Sequence, residues 1–96
     1  MAETIDELTV NYTDESGQQI VEEIDKEVLS KGSWTTILFR YREWDRKKEV
    51  WGEEKARIER YQKRNGTYRS QSRFKISSAK QARSIVEILE KWFPAE

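Results

Sequence analysis

The sequence predicts an α+β domain, an antiparallel meander sheet of four to five strands with one C-terminal helix packed on one face. Alternating apolar and polar residues recur through most of the chain, Asn65-Gly66 marks a β-hairpin, and an apolar stripe at helical spacing ends before the single proline, Pro94. We expect one domain over residues 1–96, with 1–7 flexible, strands over about 8–76 and the helix over about 78–93.

The composition argues against catalysis and against metal or cofactor binding. The chain has no Cys and no His, so the disulfide, the thiolate ligand and the commonest general base are all missing. The paired carboxylates Glu22-Glu23 and Glu53-Glu54 would point to opposite faces of an extended strand, and no glycine-rich phosphate loop is present. We therefore expect no enzyme activity, no cofactor, no metal site and no small-molecule substrate.

The first residues predict neither a signal peptide nor a membrane segment. "MAETIDELTV" is acidic and lacks a basic stretch followed by an apolar one, and the longest run of aliphatic residues or Phe is Ile37-Leu38-Phe39. The expectation is a cytoplasmic protein without a membrane partner.

The first strand is predicted from Leu8, Val10 and Tyr12, which alternate with polar residues. The sequence "DESG" over 14–17 then supplies turn residues.

The segment over 18–29 is compatible with a strand and with a helix, because Ile20, Ile24 and Val28 recur every four residues. A strand is favoured because strands are predicted on both sides and a turn at 31–33 precedes the next run.

The run from Trp34 to Trp44 has two different faces. One face carries Ile37, Phe39 and Tyr41. The other face combines large apolar and cationic side chains, which is unusual for a face exposed to solvent: Trp34, Leu38, Arg40, Arg42 and Trp44. The charged connection over 45–55 is expected to be a protruding loop or a frayed hairpin end.

Two registers are open for the hairpin around Asn65-Gly66. A two-residue turn pairs Ala56 with Lys75, which mixes apolar and cationic residues, whereas a three-residue loop pairs Ala56 with Phe74. We favour the three-residue loop because a buried face fixes the register.

The last element is predicted to be a helix that begins at Ser78, with Gln81 completing a capping box, and ends before Pro94. Its apolar stripe comprises Ala82, Ile85, Val86, Leu89, Trp92 and Phe93. This stripe should cover one side of the sheet. Ile88 and Trp92 at its edge would leave an apolar patch, which favours a symmetric homodimer through the C-terminal helix.

The charges are distributed unevenly along a chain whose net charge is zero. Residues 1–27 carry nine acidic residues and one lysine, net −8, whereas residues 28–96 carry 17 basic and 9 acidic residues, net +8. Cations interleaved with aromatic rings on one sheet face suit single-stranded nucleic acid, which needs phosphate contacts and stacking platforms. The predicted binding residues are Arg40, Arg42, Trp44, Arg57, Tyr61, Lys63, Arg69, Arg73 and Lys75.

An alternative without nucleic acid stays open. Antiparallel sheets often expose a polar face, and the acidic segment 1–27 could neutralise the basic residues within the same molecule or across a dimer. The chain would then be a protein-interaction or structural module with a solvated charged face.

Two segments resemble a known family. "ILFRYREW" (37–44) and "RFKISSAKQARSIVEIL" (73–89) resemble the strand motif and terminal helix of the positive-cofactor-four family of transcriptional coactivators. The resemblance implies a curved four-stranded sheet on a C-terminal helix, dimerisation through the helices, and single-stranded DNA held on the sheet, with Arg42, Trp44 and Lys75 on motif positions. The overall pattern also resembles small bacterial proteins without an assigned activity.

Overall fold

The computed structural model describes residues 2–95, and Met1, which belongs to the segment expected to be flexible, lies outside them. A 3-10 turn at Ile5–Glu7 is followed by strands β1 Tyr12–Thr13, β2 Gln19–Ser30, β3 Trp34–Asp45, β4 Val50–Trp51, β5 Lys55–Arg64 and β6 Thr67–Ile76, and by helix α1 Ala79–Trp92. In this part of the chain no helix combines the length and hydropathy needed to cross a membrane.

The strands form one antiparallel sheet in the order β1-β2-β3-β5-β6, curled into a half-barrel, and β4 pairs with the end of β3. The predicted α+β meander with a C-terminal helix is therefore confirmed. The segment over 18–29 is a strand, as favoured, and the connection over 45–55 closes as the end of a hairpin in which Asp45 pairs with Val50.

The main buried cluster lies on one side of the sheet, which we call the core face. Thr35, Ile37, Phe39 and Tyr41 are fully buried there, because alternate residues of β3 point to the same side. We call the opposite side, which carries Leu38 and Arg40, the open face.

The N-terminal segment covers the core face. The sequence predicts that the helix would cover this side of the sheet. Leu8 and Val10 are buried against the core. Lys26 Nζ donates to the carbonyl oxygens of Ile5 at 2.6 Å and Leu8 at 2.7 Å. The segment is thus held largely by side chains. The first strand, predicted to begin at Leu8, comprises only Tyr12–Thr13.

The helix begins as predicted but covers much less of the sheet than expected. Ser78 Oγ accepts a hydrogen bond from the Gln81 amide at 3.1 Å, and Gln81 Oε1 accepts one from the Ser77 amide at 2.9 Å. No residue of α1 is buried, and Trp92 and Phe93 are 67% and 75% exposed. The helix leaves from the edge strand β6 after two residues, so its second half has no sheet beneath it that buries the stripe.

The β5–β6 hairpin has a two-residue turn, so the predicted three-residue loop is wrong. Arg64 pairs with Thr67, and Asn65 and Gly66 have φ of 51° and 80°. Both values suit the tight turn that matches strand twist. An irregularity at Gln71 then shifts the register and places Ile58 opposite Phe74. The chain sorts its faces by a bulge within β6 instead of by a longer loop.

Replacing Gly66 by Val should lower the free energy of unfolding by about 1–2 kcal/mol, because a β-branched residue is strained at positive φ. A side chain at Gly66 would meet no atom within 4 Å, so the loss is conformational and not steric. Urea titration measures it, with Gly66→Asn as the control that tolerates the left-handed region. Equal losses for Val and Asn would contradict this account.

Candidate nucleic-acid interface

The nine predicted binding residues do not share one face, so the prediction of a single binding surface is wrong. Phe39 pairs with Arg57 and Thr35 pairs with Tyr61. Directly opposite residues lie on the same side of a sheet. The core side therefore carries Arg57, Tyr61, Lys63, Arg73 and Lys75, and the open face carries Arg40, Arg42, Trp44 and Arg69.

Tyr61 cannot serve as a stacking platform because it belongs to the core. Its ring is buried beside Thr35, and its hydroxyl donates a hydrogen bond to Glu59 Oε2. Burial raises the pKa of Tyr61, and the hydrogen bond to the neighbouring carboxylate raises it further. The phenol therefore stays uncharged, and its buried ring is not accessible for stacking with a nucleobase.

Glu59 is the centre of a polar cluster on the core face. The carboxylate is buried, with Arg57 Nε 3.0 Å and Arg73 Nε 3.6 Å from its Oε1. The contact with Arg57 is close enough for an ion pair but not aligned as a hydrogen bond. The Arg57 guanidinium also lies 5.1 Å from the centre of the Tyr41 ring. Arg57 is therefore fixed inside the fold and is not on a surface that a nucleic-acid strand could follow.

The two arginines at the centre of the open face are paired with carboxylates. Arg42 Nε lies 2.7 Å from Glu22 Oε1, and Arg40 pairs with Glu54. Glu22 belongs to the acidic segment, so neutralisation within the molecule, which the sequence left open, does occur at Arg42. A phosphate would have to compete with these carboxylates.

Trp44 is also engaged within the protein. Its ring meets Trp51 edge to face at 5.3 Å between centroids, and Arg42 lies 4.6 Å from the centre of the Trp51 ring. The three side chains pack against one another and stabilise the β3–β4 hairpin. Trp44 is therefore only partly exposed.

A second group of cations on the open face is not neutralised. Trp34, Gln62 and Arg69 lie in one row across β3, β5 and β6, and Arg60 and Arg64 flank this row on β5. The Arg60 guanidinium lies 4.5 Å from the centre of the Trp34 ring, and Trp34 is 40% exposed. We call Trp34, Arg60, Arg64 and Arg69 the hairpin-end cluster, and within residues 2–95 none of its arginines forms an ion pair.

Three members of this cluster were missing from the predicted site, namely Trp34, Arg60 and Arg64. Arg60 shares a face with the apolar residue Ile58, so alternation along the strand does not single it out as a binding residue. In the structure this is the open face, and Arg60 is exposed there. The sequence does contain a signal for this cluster, because Arg60, Arg64 and Arg69 flank the Asn65-Gly66 turn. Residues on the two sides of a tight turn lie close together in any register.

No alternative chemistry stands out in the described part of the chain. Residues 2–95 contain no group of three acidic side chains that could hold a metal ion. Comparison of the chain with known protein families, with curated proteins and with solved structures found no match.

The buried phenol of Tyr61 predicts a loss of stability in alkali. An unfolded tyrosine ionises near pH 10, and the folded-state pKa is raised, so the stabilisation is complete below pH ~10 and is lost as the pH rises above it. Urea titration across this range should show a smaller loss for Tyr61→Phe than for the native chain, with Tyr12→Phe as the control at an exposed position. The same loss in all three chains would contradict the role of Tyr61.

Proposed function

We propose that this chain is a non-catalytic protein-interaction module that pairs with a second copy of itself through the open face and the C-terminal helix. The observation that carries the proposal is the amount of uncovered surface. A folded monomer of this mass, 11.5 kDa, exposes about 5,800 Å², whereas this chain exposes 7401 Å². The excess of about 1,600 Å² per chain fits a homodimer interface, which buries roughly 2,000–5,000 Å² over both partners.

The shape of the chain supports the same conclusion. Its radius of gyration is 15.3 Å, compared with about 12.5 Å for a compact domain of this length. One principal extent is only 17 Å, so the sheet has a cover on its core face and little on the other. A second copy would provide the missing layer.

The uncovered surface is apolar where the helix meets the open face. Phe74 on β6 is 55% exposed, and Leu89 and Trp92 in the apolar stripe of the helix are exposed as well. A groove of about 360 Å³ runs between the first helical turns and the sheet, with Leu38, Ala56 and Ala82 in its lining. Apolar surface of this kind generally marks a contact with another macromolecule.

Charge complementarity favours a second copy over an unrelated partner. Arg83 and Glu90 are seven residues apart, so they lie on the same flank of the apolar stripe. In an antiparallel pair related by a two-fold axis, Arg83 of each copy would lie opposite Glu90 of the other, so the contact would form twice. The net charge of zero adds no overall repulsion between the copies.

A second function, single-stranded nucleic-acid binding, is favoured by the hairpin-end cluster. This cluster combines an exposed Trp34 ring with three arginines that have no carboxylate partner among the described residues. Arg60 stacked on Trp34 forms a flat cationic platform, and Arg64 and Arg69 would contact phosphates on either side. Single-stranded DNA is also the ligand that the family resemblance implies.

Reversal of one charge on the helix should weaken the dimer, and reversal of both should restore it. Arg83→Glu or Glu90→Arg alone places like charges opposite each other and should raise the dissociation constant on the order of tenfold, because the contact occurs twice. The double variant recreates the pair. Light scattering across protein concentration measures the mass, with Lys80→Glu, on the side away from the stripe, as the control. A native chain that stays at 11.5 kDa at high concentration would refute the homodimer.

Binding of labelled single-stranded oligonucleotides should depend on the hairpin-end cluster. Arg60→Ala and Arg69→Ala should each lower the slope of log K against log salt by roughly 0.7, whereas Trp34→Ala should reduce affinity by about 1–3 kcal/mol per stacked base. Arg40→Ala is the matched control, because Arg40 is already paired with Glu54. No binding by the folded native chain at low salt, or an equal effect of Arg40→Ala, would refute this function.

A further inference from the structure

A separate pocket lies on the side of the sheet away from the hairpin-end cluster, between the N-terminal segment and the strands. Its volume is about 340 Å³, and residues 9–12 form one wall. The charged side chains of its lining come from Glu43, Arg57, Arg73 and Lys75. Three of the nine predicted binding residues therefore meet in a pocket and not on an extended surface.

The charges around this pocket leave an excess of positive charge. One carboxylate, Glu59, lies near both Arg57 and Arg73, so it cannot neutralise the two guanidiniums. Glu43 is paired with Lys55 at 2.8 Å, and this hydrogen bond lowers the pKa of Glu43.

Two further groups bear on the balance of charge at this pocket. Glu23, which accepts a hydrogen bond from Thr9, adds one more carboxylate at the edge. Lys75 forms no ion pair within the described residues 2–95. The net charge is positive even when Glu23 is counted.

The arginine in the wall is preorganised for an oxyanion. The Arg57 side chain is only 12% exposed, and the Tyr41 ring and Glu59 hold it in place. A guanidinium has five N–H donors, and only the Nε of Arg57 faces Glu59 in an ion pair. Because the Arg57 side chain is largely shielded from water, its donors bind an anion more strongly than those of an arginine at the surface.

We propose that this pocket binds a small phosphate-bearing molecule through Arg57, Arg73 and Lys75. The planar guanidinium of Arg57 matches two oxygens of a phosphate, and Lys75 and Arg73 at the rim supply further charge. The segment over 9–12 lines the pocket together with the strands, and the volume is small, so a phosphate on a small molecule fits better than the backbone of a long strand. The site is independent of the dimer contact and of the hairpin-end cluster.

Inorganic phosphate and glycerol phosphate are the probes for this site. At constant ionic strength, millimolar concentrations of either should raise the midpoint of thermal unfolding relative to chloride, because a ligand that binds only the folded state stabilises it. Lys75→Ala and Arg73→Ala should each weaken phosphate binding on the order of tenfold, the usual loss for one charged hydrogen bond. Both side chains are exposed at the rim, so the variants should still fold.

Two controls separate this site from the others. Arg69→Ala, in the hairpin-end cluster, should leave the phosphate effect unchanged, and Glu90→Arg should bind phosphate as the native chain does. No stabilisation by phosphate beyond that by chloride would overturn the proposal. Stabilisation that survives Lys75→Ala and Arg73→Ala but is lost in Arg69→Ala would also overturn it, because the anion would then bind at the hairpin end.

Discussion

The pairing of β3 with β5 is the constraint on which the rest of this structure depends. By setting Leu38 opposite Ile58 and Phe39 opposite Arg57, it decides for each residue of β5 whether it faces the core or the open side. A shift of the β3–β5 register by one residue would move the core-facing residues of β5 to the open face and the others to the core face. This pairing buries Glu59 and Tyr61, encloses most of the Arg57 side chain, and directs Arg60 and Arg64 to the open side.

The same pairing explains why cations that are close in the sequence have different environments. Arg57 is desolvated and braced by Glu59 and the Tyr41 ring, while Arg60, three residues later, stacks on Trp34 at the surface. Arg42 on the neighbouring strand is neutralised by Glu22. One stretch rich in arginine thus supplies a structural ion pair, a candidate anion pocket and a candidate stacking platform, and the total charge of a segment does not distinguish among them.

Part of the surface is uncovered because the N-terminal segment, and not the C-terminal helix, packs against the core face. The N-terminal segment buries Leu8 and Val10 against the core face and is held by Lys26, so the buried cluster on the core face contains no residue of the helix. The helix leaves the edge strand β6 with its apolar stripe largely exposed. This exposed apolar stripe is the feature on which the proposed contact with a second copy of the chain rests.

Local chemistry determined much of this protein in advance. The strands, the Asn65-Gly66 turn and the Ser78 cap all follow from residues that are neighbours in the sequence, and the structure has each of them. Only the tertiary structure decided the bulge at Gln71, the partner of β5, and the fact that the N-terminal segment and not the helix covers the core. These features depend on contacts between different strands and segments. Alternation along one strand identifies two faces, but which of them is buried is decided only when the neighbouring strands and the N-terminal segment are in place.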